Sequence, residues 1–354
     1  VDRGAVLASK LPRRRSAAPP SAAELRRAVA IAARSPRTYA NLARRGDKQL
    51  LFATAGDAFL MYGRHGRSWI AMGDPVGAEP GIAELVRSFR ELCRRRRGRC
   101  VFFEVRPERR ALYEDNGLTL TPLGEEACVD LPAFSLAAPA LKTVRQAHAS
   151  AARRGCLFEI VPPEQVPRLL PALARVSVAW LAGKAAHEKG FSNASFDGAY
   201  LAHFPVAVVR RAGEIVAFAN LWQGAGREEL SVDLMRHAPD APPGTMDFLF
   251  AELLAWGRAD GYRRFNFGMA PLAGLDATGA APVWRFVATL IYRHGEHFYN
   301  FEGLRRFKAK FAPTWSPLYL ASPGGLALPL ALVDVTALIA GGVAGILSKR
   351  GARR

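Results

Sequence analysis

The chain has 354 residues, with 49 lysines and arginines against 31 acidic side chains, a formal charge of +18. Half of its residues are apolar and the mean hydropathy is +0.01. That apolar content excludes a disordered chain, and the presence of a single long apolar stretch, near the C-terminus, excludes a polytopic membrane protein. Length gives two domains as the expectation. A surface this basic, with arginine runs at 13–15 and 94–97, is drawn to polyanions, either nucleic acid or anionic lipid.

Residues 1–23 are rich in Arg, Pro, Ala and Ser without periodicity and read as a basic linker; the start at Val1 rather than Met reads as a fragment of a longer protein. A helix is expected over 24–34, then strands at 49–55, 57–62 and 69–73. A helix at 81–97 follows, with Ile82, Leu85, Val86, Phe89 and Leu92 at helical spacing. Next come a strand at 100–105, a short helix opened by Pro107 and a strand at 126–131. Residues 132–139 form the joint between a first domain at 24–138 and a second at 139–322. The second opens with a helix at 140–154, a strand at 157–161 and a helix at 164–181. Strands 205–210 and 214–222 pair across Ala212-Gly213, and a third strand spans 229–235. A helix at 246–260, a strand at 264–267, a helix around 283–294 and a strand near 317–321 complete it.

Each half therefore runs antiparallel strands, helix, strand, helix, strand. This order resembles the GNAT acyltransferase fold, in which two central strands splay apart around an acyl donor. The fold class expected is α+β: two tandem GNAT-like domains with mixed, mainly antiparallel sheets flanked by helices. No P-loop, dinucleotide fingerprint, nucleophile elbow or zincin motif occurs. Cys93, Cys100, Cys128 and Cys156 form no CxxC pair and have no histidine at ligand spacing, so no metal is expected. The stretch His237–Thr245, where a coenzyme A enzyme of this fold places a Gly-rich loop, holds Pro239, Pro242 and Pro243. Proline has no N–H to offer a pyrophosphate, and Asp240 would repel one. Coenzyme A is therefore a poor donor for this chain, and no cofactor is expected.

Asp233 and Arg236, three apart at a strand end, can both face a cleft if the backbone turns after Met235; the alternative is a structural ion pair. Lys184, His187, Glu188 and Lys189 are either a solvated helix end or the rim of a site. In 299–320, Leu304, Phe307 and Phe311 share a helical face while Arg305, Arg306, Lys308 and Lys310 supply charge, either for a phosphate-bearing partner or as a solvated surface.

The strings GDPVG (73–77), FFEV (102–105), EKGFS (188–192), SVDLMRH (231–237), MDFLF (246–250), FNFGMAPLAG (265–274) and YNFEGLRRFKAKFAPTWSPLYLA (299–321) together resemble the catalytic domain of bacterial aminoacyl-phosphatidylglycerol synthases, the multiple peptide resistance factor family. The resemblance covers roughly residues 25–347. It implies a cytoplasmic domain at the inner membrane, joined to an N-terminal transmembrane flippase domain. The activity implied moves lysine, favoured slightly over alanine, from aminoacyl-tRNA to the glycerol hydroxyl of phosphatidylglycerol, giving resistance to cationic antimicrobial peptides. Asp233 and Arg236 match the family's functional Asp-x-x-Arg pair, Glu188 with Lys184 or Lys189 its acidic–basic pair, and Lys308 or Lys310 its late essential lysine. Arg305 and Arg306 join the substrate-binding set. The partners implied are aminoacyl-tRNA and an anionic membrane surface. A transferase acting from tRNA on a peptidoglycan precursor or protein N-terminus, or a non-catalytic tRNA- or lipid-binding module, would share many of these features. Residues 324–347 form an apolar run in which Leu332, Val335, Ile339, Val343 and Ile346 fall on one helical face, with Asp334 away from it. It reads as an amphipathic helix, packed on the domain or lying at the membrane surface, with a membrane span as the alternative.

Overall fold

The computed structural model describes residues 19–183, 191–192, 195–271, 273 and 301–339. Helix α1 (Ala22–Ala32) starts on a capping box, in which the Ser21 hydroxyl accepts from the Glu24 amide and the Glu24 carboxylate accepts from the Ser21 amide. A 3-10 stretch, Thr38–Arg45, leads to β1 (Gln49–Phe52), β2 (Ala58–His65), β3 (Ser68–Met72) and the short β4 (Val76–Gly77). Helix α2 (Glu79–Arg95), β5 (Arg99–Val105), α3 (Arg110–Asp115) and β6 (Thr119–Asp130) follow. The order then recurs through α4 (Lys142–Arg153), β7 (Cys156–Val161), α5 (Val166–Ala182), α6 (Gly198–Leu201), β8 (Val206–Arg211), β9 (Glu214–Gln223), β10 (Glu229–His237), α7 (Thr245–Ala259) and β11 (Arg264–Pro271). The chain continues with α8 (Phe301–Ala309), β12 (Thr314–Ser322) and α9 (Ala327–Ile339).

The architecture is α+β, with two tandem GNAT-like halves whose strands join in one sheet of order β1-β2-β3-β5-β12-β6-β11-β10-β9-β8-β7. Each half holds one parallel pair among antiparallel neighbours, β3 with β5 and β10 with β11. The β8–β9 hairpin closes on Ala212 and Gly213, both at positive φ (49° and 83°), as a two-residue turn of right-twisted strands requires. Alternation sets the layers. In β2, Ala58, Leu60 and Tyr62 face α2 while Phe59 and Met61 face α1 and α9. In β8, Val206 and Val208 face α5 while Ala207 and Val209 face α4 and α7.

One strand begins well before its expected start, and another changes neighbours. The strand expected at 126–131 is β6, which starts at Thr119 and runs for 12 residues, through Pro122 and Gly124. Gly124 is needed there, since a Cβ would sit 2.4 Å from the Ala270 carbonyl oxygen of β11. Strand β12, expected within the second half, lies between β5 and β6 and pairs antiparallel with both. The two halves thus share strands rather than closing separately. The expected helix around 283–294 lies outside the described residues.

Helix α9 packs on β2, β3, β5 and β12. Asp334, expected off its buried face, is 7% exposed and points into the domain. It accepts from the Arg99 guanidinium (2.6 Å) and the Ser68 hydroxyl (2.7 Å) and lies 3.0 Å from His65 Nδ1. Apolar spacing alone does not locate a carboxylate that has buried partners on the sheet. Among the described residues, no helix is long and apolar enough to cross a membrane.

Candidate active site

Strands β10 and β11 pair only from Glu229–Arg264 to Ser231–Asn266. Beyond Ser231 they separate, and each is irregular there, β10 against β9 between Val232 and Met235 and β11 against β6 between Asn266 and Met269. The apex of this V is clamped by Glu229, which is fully buried. Its carboxylate accepts from the Thr38 amide (2.9 Å) and hydroxyl (2.7 Å), from Arg264 Nε (3.1 Å) and from Arg37 Nη1 (3.3 Å). Burial works against ionisation, but Arg106, Thr38 and Arg37 hold Glu229 below the ordinary carboxylate range.

Asp233 sits in the β10 bulge. The Asn220 side-chain oxygen accepts from the Leu234 amide at 2.7 Å and fixes the distorted backbone. Strand β10 runs on to His237, so no turn follows Met235; the bulge instead re-aims the side chains. Asp233 Oδ2 accepts from the Tyr200 hydroxyl of α6 at 3.0 Å, and that hydroxyl accepts from Trp222 Nε1 at 3.0 Å. Burial and the adjacent Asp233 charge raise the Tyr200 hydroxyl far above its usual range, so it stays a donor. Arg236 reaches the same side of the strand, its guanidinium 4.0 Å above the Trp180 ring of α5.

The first half closes the site. Lys48, 3% exposed, lies 2.8 Å from Asp47 and 5.6 Å from the Phe191 ring centroid. Burial lowers its ammonium's pKa, while Asp47 and, more weakly, Asp233 oppose that. Arg45 bonds Asp47 (3.1 Å) and Ser195 (3.2 Å) and lies over the Tyr200 ring. Tyr200, Phe204 and Trp222 share one apolar cluster with Phe59, Met61, Phe103, Leu123 and Leu320.

Beside this arrangement stands the sequence comparison: a family profile described as phosphatidylglycerol lysyltransferase, C-terminal, matches residues 29–322. The chain belongs to that family. It is 37% identical over 297 residues to the phosphatidylglycerol lysyltransferase of Bacillus subtilis, covering 83% of this chain and 34% of that protein. It therefore spans about a third of such a relative's length. Among solved structures it is similar to the C-terminal domain ascribed to a lysylphosphatidylglycerol synthetase of Agrobacterium fabrum, with a TM-score of 0.83 and 44% identity over 91% of this chain and 98% of that one. It is also similar to L-PGS from Bacillus licheniformis, with a TM-score of 0.80 and 34% identity over 89% and 96%.

Within this lysyltransferase-family domain the expected site residues divide. Asp233 lies in the bulge against Tyr200, and Arg236 just past it against Trp180. Lys308, on α8, is 5% exposed and donates to the Gly268 and Met269 carbonyls of the β11 bulge, each at 2.9 Å. Burial pushes it down to about 8, with Glu104 and Glu126 opposing. Glu104, at φ 66°, is pushed up to about 7 by burial and by Glu126. Glu126 itself bonds Arg106 (3.0 Å) and Asn266 (2.8 Å), and Asn266 accepts the Gly268 amide. Lys308 thus belongs to a buried network behind β11, connected to the Asp233 cluster through Met269, whose side chain packs into it. Lys310 bonds Asp247 at 2.8 Å in the first turn of α7. Arg305 bonds Glu125 (3.2 Å) over Trp315, and Arg306 faces solvent. Lys184, His187, Glu188 and Lys189 lie outside the described residues.

Sequence reasoning missed Tyr200, Trp222, Lys48, Asn220, Glu104 and Glu229. For the last two a signal existed, namely a carboxylate interrupting an apolar strand in FFEV and EELSV. For Lys48 and Tyr200 none did, because only the fold brings them to Asp233.

Proposed function

We propose that this domain transfers an amino acid, lysine in preference to alanine, from aminoacyl-tRNA to the glycerol hydroxyl of phosphatidylglycerol. The observation that carries the reading is Asp233, a carboxylate oriented by Tyr200 and Trp222 at the mouth of the β10–β11 V. Asp233 receives the α-ammonium of the aminoacyl group. Arg236, on the same side, attracts the lipid phosphate or the tRNA 3′ end and stabilises the oxyanion that forms on the ester carbonyl. The lipid hydroxyl oxygen bonds to that carbonyl carbon, the bond to the tRNA ribose oxygen breaks, and the hydroxyl proton ends on the ribose oxygen. One ester replaces another, so the step consumes no ATP and needs no coenzyme A or metal. Juxtaposing the two substrates contributes up to about 7–11 kcal/mol.

A donor other than coenzyme A is further supported at α7. The preceding loop contributes Pro242 and Pro243, Gly244 backs onto Ala147 of α4, and the first turn holds the Asp247 carboxylate with Lys310. An acidic side chain occupies the helix end where a pyrophosphate would otherwise be favoured. The whole protein's coupling to an N-terminal membrane domain at the cytoplasmic face of the inner membrane, and the resulting resistance to cationic peptides, belong to the same reading. The test supplies the purified chain with lysyl-tRNA or alanyl-tRNA and phosphatidylglycerol vesicles, followed by mass analysis of the lipids. Lysyl-phosphatidylglycerol is the expected product. Retention of tRNA with no label reaching lipid would overturn the reading in favour of a binding module, and labelling of a peptide acceptor instead would redirect it.

A further inference from the structure

Strand directions bring several arginine-bearing segments to one end of the sheet. Strands β10 and β11 run parallel and part towards His237 and Pro271, which sets the mouth of the V. Followed through the antiparallel pairs β11–β6, β6–β12 and β12–β5 and the parallel pair β5–β3, the same end holds the starts of β5 and β3 and the β2–β3 turn. In the other direction, through β9, it holds the end of β8 at Arg211 and the start of β7. Strand β5 is the third from β11, and β7 is the third from β10. By strand spacing, each lies about 14 Å from its arm of the V.

Arginines crowd both places. The run 94–97 at the end of α2 leads into β5, with Arg64 and Arg67 of the β2–β3 turn beside it, and all of these are exposed. The Arg67 guanidinium donates to the Arg97 carbonyl at 3.0 Å and ties the turn to the run. On the other flank Arg153 and Arg154 at the end of α4 and Arg211 of β8 are exposed, and Arg211 Nε donates to the Arg154 carbonyl at 3.2 Å. Among the described residues, only Arg94 and Arg95 of this set have a carboxylate partner, Glu91. Elsewhere on the surface Arg175, Arg227 and Arg263 each have one of their own. Complementing a helix dipole accounts for Arg94, Arg95 and Arg153, which lie in last turns. It does not account for Arg64, Arg67, Arg97 or Arg211. Like charges gathered without carboxylates repel one another, and a polyanion relieves that.

The corners share a face. Phe59 and Met61, turned away from α2, cluster with Trp222, turned away from α4, so α2 and α4 lie on the same side of the sheet. Asp233 bonds Tyr200 on the opposite side, and the gap where β10 and β11 part leads from one to the other. A bilayer surface combines charge with inserted apolar side chains. None of the large apolar side chains exposed among the described residues belongs to α2, α4 or the β2–β3 turn, and Leu157 of β7 is the nearest to either corner in sequence. An array of phosphates needs only charge and hydrogen-bond donors. Guanidiniums on both flanks of one opening therefore fit an RNA backbone whose end enters between them.

We propose that these two arginine corners hold the phosphate backbone of the aminoacylated RNA and so direct its 3′ end into the V. The proposal rests on the RNA-donor reading above. Its test measures tRNA binding to the 354-residue chain between about 50 and 200 mM salt, flotation with phosphatidylglycerol vesicles, and transfer from lysyl-tRNA. Arg96→Gln/Arg97→Gln and Arg153→Gln/Arg154→Gln are each expected to weaken tRNA binding about tenfold and to lower the slope of log affinity against log salt by about 2. The KM for lysyl-tRNA is expected to rise in step, with flotation unchanged. The control Arg227→Gln/Arg263→Gln, at the opposite end of the sheet, is expected to bind tRNA as the unchanged chain does. Should either pair fail to fold, Arg96→Gln or Arg154→Gln alone reads the same corner, with a slope change of about 1. Affinity and slope unchanged in both pairs, or an equal loss in the control, overturns the surface. Loss of flotation with tRNA binding intact overturns it in favour of an anionic bilayer. A chain whose tRNA binding depends on these arginines, yet which passes nothing from lysyl-tRNA to lipid, upholds the surface and sinks the transferase reading.

Discussion

Tyr200→Phe isolates the hydroxyl that orients Asp233 while keeping the ring that packs among Phe204 and Trp222. Two hydrogen bonds disappear. The one to the Asp233 carboxylate, at 3.0 Å, is charge-assisted and contributes about 1.5–3 kcal/mol. The other leaves Trp222 Nε1 without its acceptor in a residue only 6% exposed, at a cost of about 1–3 kcal/mol. Relaxation of the carboxylate recovers part of this, so the expected loss of stability is about 2–4 kcal/mol, read as a lower urea midpoint with unchanged slope. Transfer from lysyl-tRNA to phosphatidylglycerol is expected to fall about 10–100-fold, or about 1.4–2.8 kcal/mol of transition-state stabilisation. A cycle with Asp233→Asn separates orientation from packing, with a coupling of about 1–2 kcal/mol expected between the two positions. A Tyr200→Phe variant as stable and active as the unchanged chain, or a coupling near zero, would refute the assignment of Tyr200 as the residue that positions Asp233.

Asp334→Ala leaves Arg99 with its carboxylate partner removed in a half-buried position, so a loss of about 3–5 kcal/mol is expected, with α9 becoming the first site of proteolysis. Glu104, raised to about 7, binds its proton more tightly folded than unfolded, so its contribution to stability is present below the unfolded value near 4.5 and is lost as pH rises through 7. Glu104→Gln should abolish that decline, worth up to about 3 kcal/mol, in urea titrations at pH 4.5 and pH 8. Lys308, lowered to about 8, runs the other way: stability gained at pH above 10.5 is lost as pH falls to 8, and Lys308→Met should flatten that segment. Transfer activity should fall steeply between 50 and 200 mM salt as contacts with tRNA and anionic lipid are screened; a flat profile would argue against a basic docking surface.

What the sequence made legible was whatever local periodicity encodes. The helices at 81–97 and 246–260 and the hairpin across Ala212-Gly213 appear within a few residues of α2, α7 and the β8–β9 turn. Asp233 and Arg236 could be singled out because they end an apolar strand, but the device that turns both to one side, a bulge held by Asn220, leaves no local mark. Lys308 shows the opposite failure. Its place in a basic amphipathic string suggests a surface group, yet it is enclosed by Gly268 and Met269 carbonyls that are 40 and 39 residues away. Asp334 fails for the same reason, since its partners are 235 to 269 residues distant.

The distribution of buried charge follows from the shared strands. β12 lies between β5 and β6, and β6 also pairs with β11, so strands from both halves meet in the middle of the sheet. Glu104, Glu126 and Asn266 lie on these central strands, with Arg106 just past β5 and Lys308 on α8; Glu126 bonds Arg106 and Asn266, Lys308 bonds the Gly268 and Met269 carbonyls, and Glu104 interacts with Lys308 and Glu126 through charge. Such a network costs desolvation and stabilises little compared with apolar packing, so its retention points to what it holds in place. It ends on Gly268 and Met269, the stretch where β11 leaves its register with β6 beside the V. On the other arm, Glu229 and Thr38 tie the start of β10 to the first half, and Asn220 sets the bulge that carries Asp233. The opening between β10 and β11 is therefore fixed from both sides by polar contacts that span the two halves, which is what two large substrates meeting at one carboxylate require.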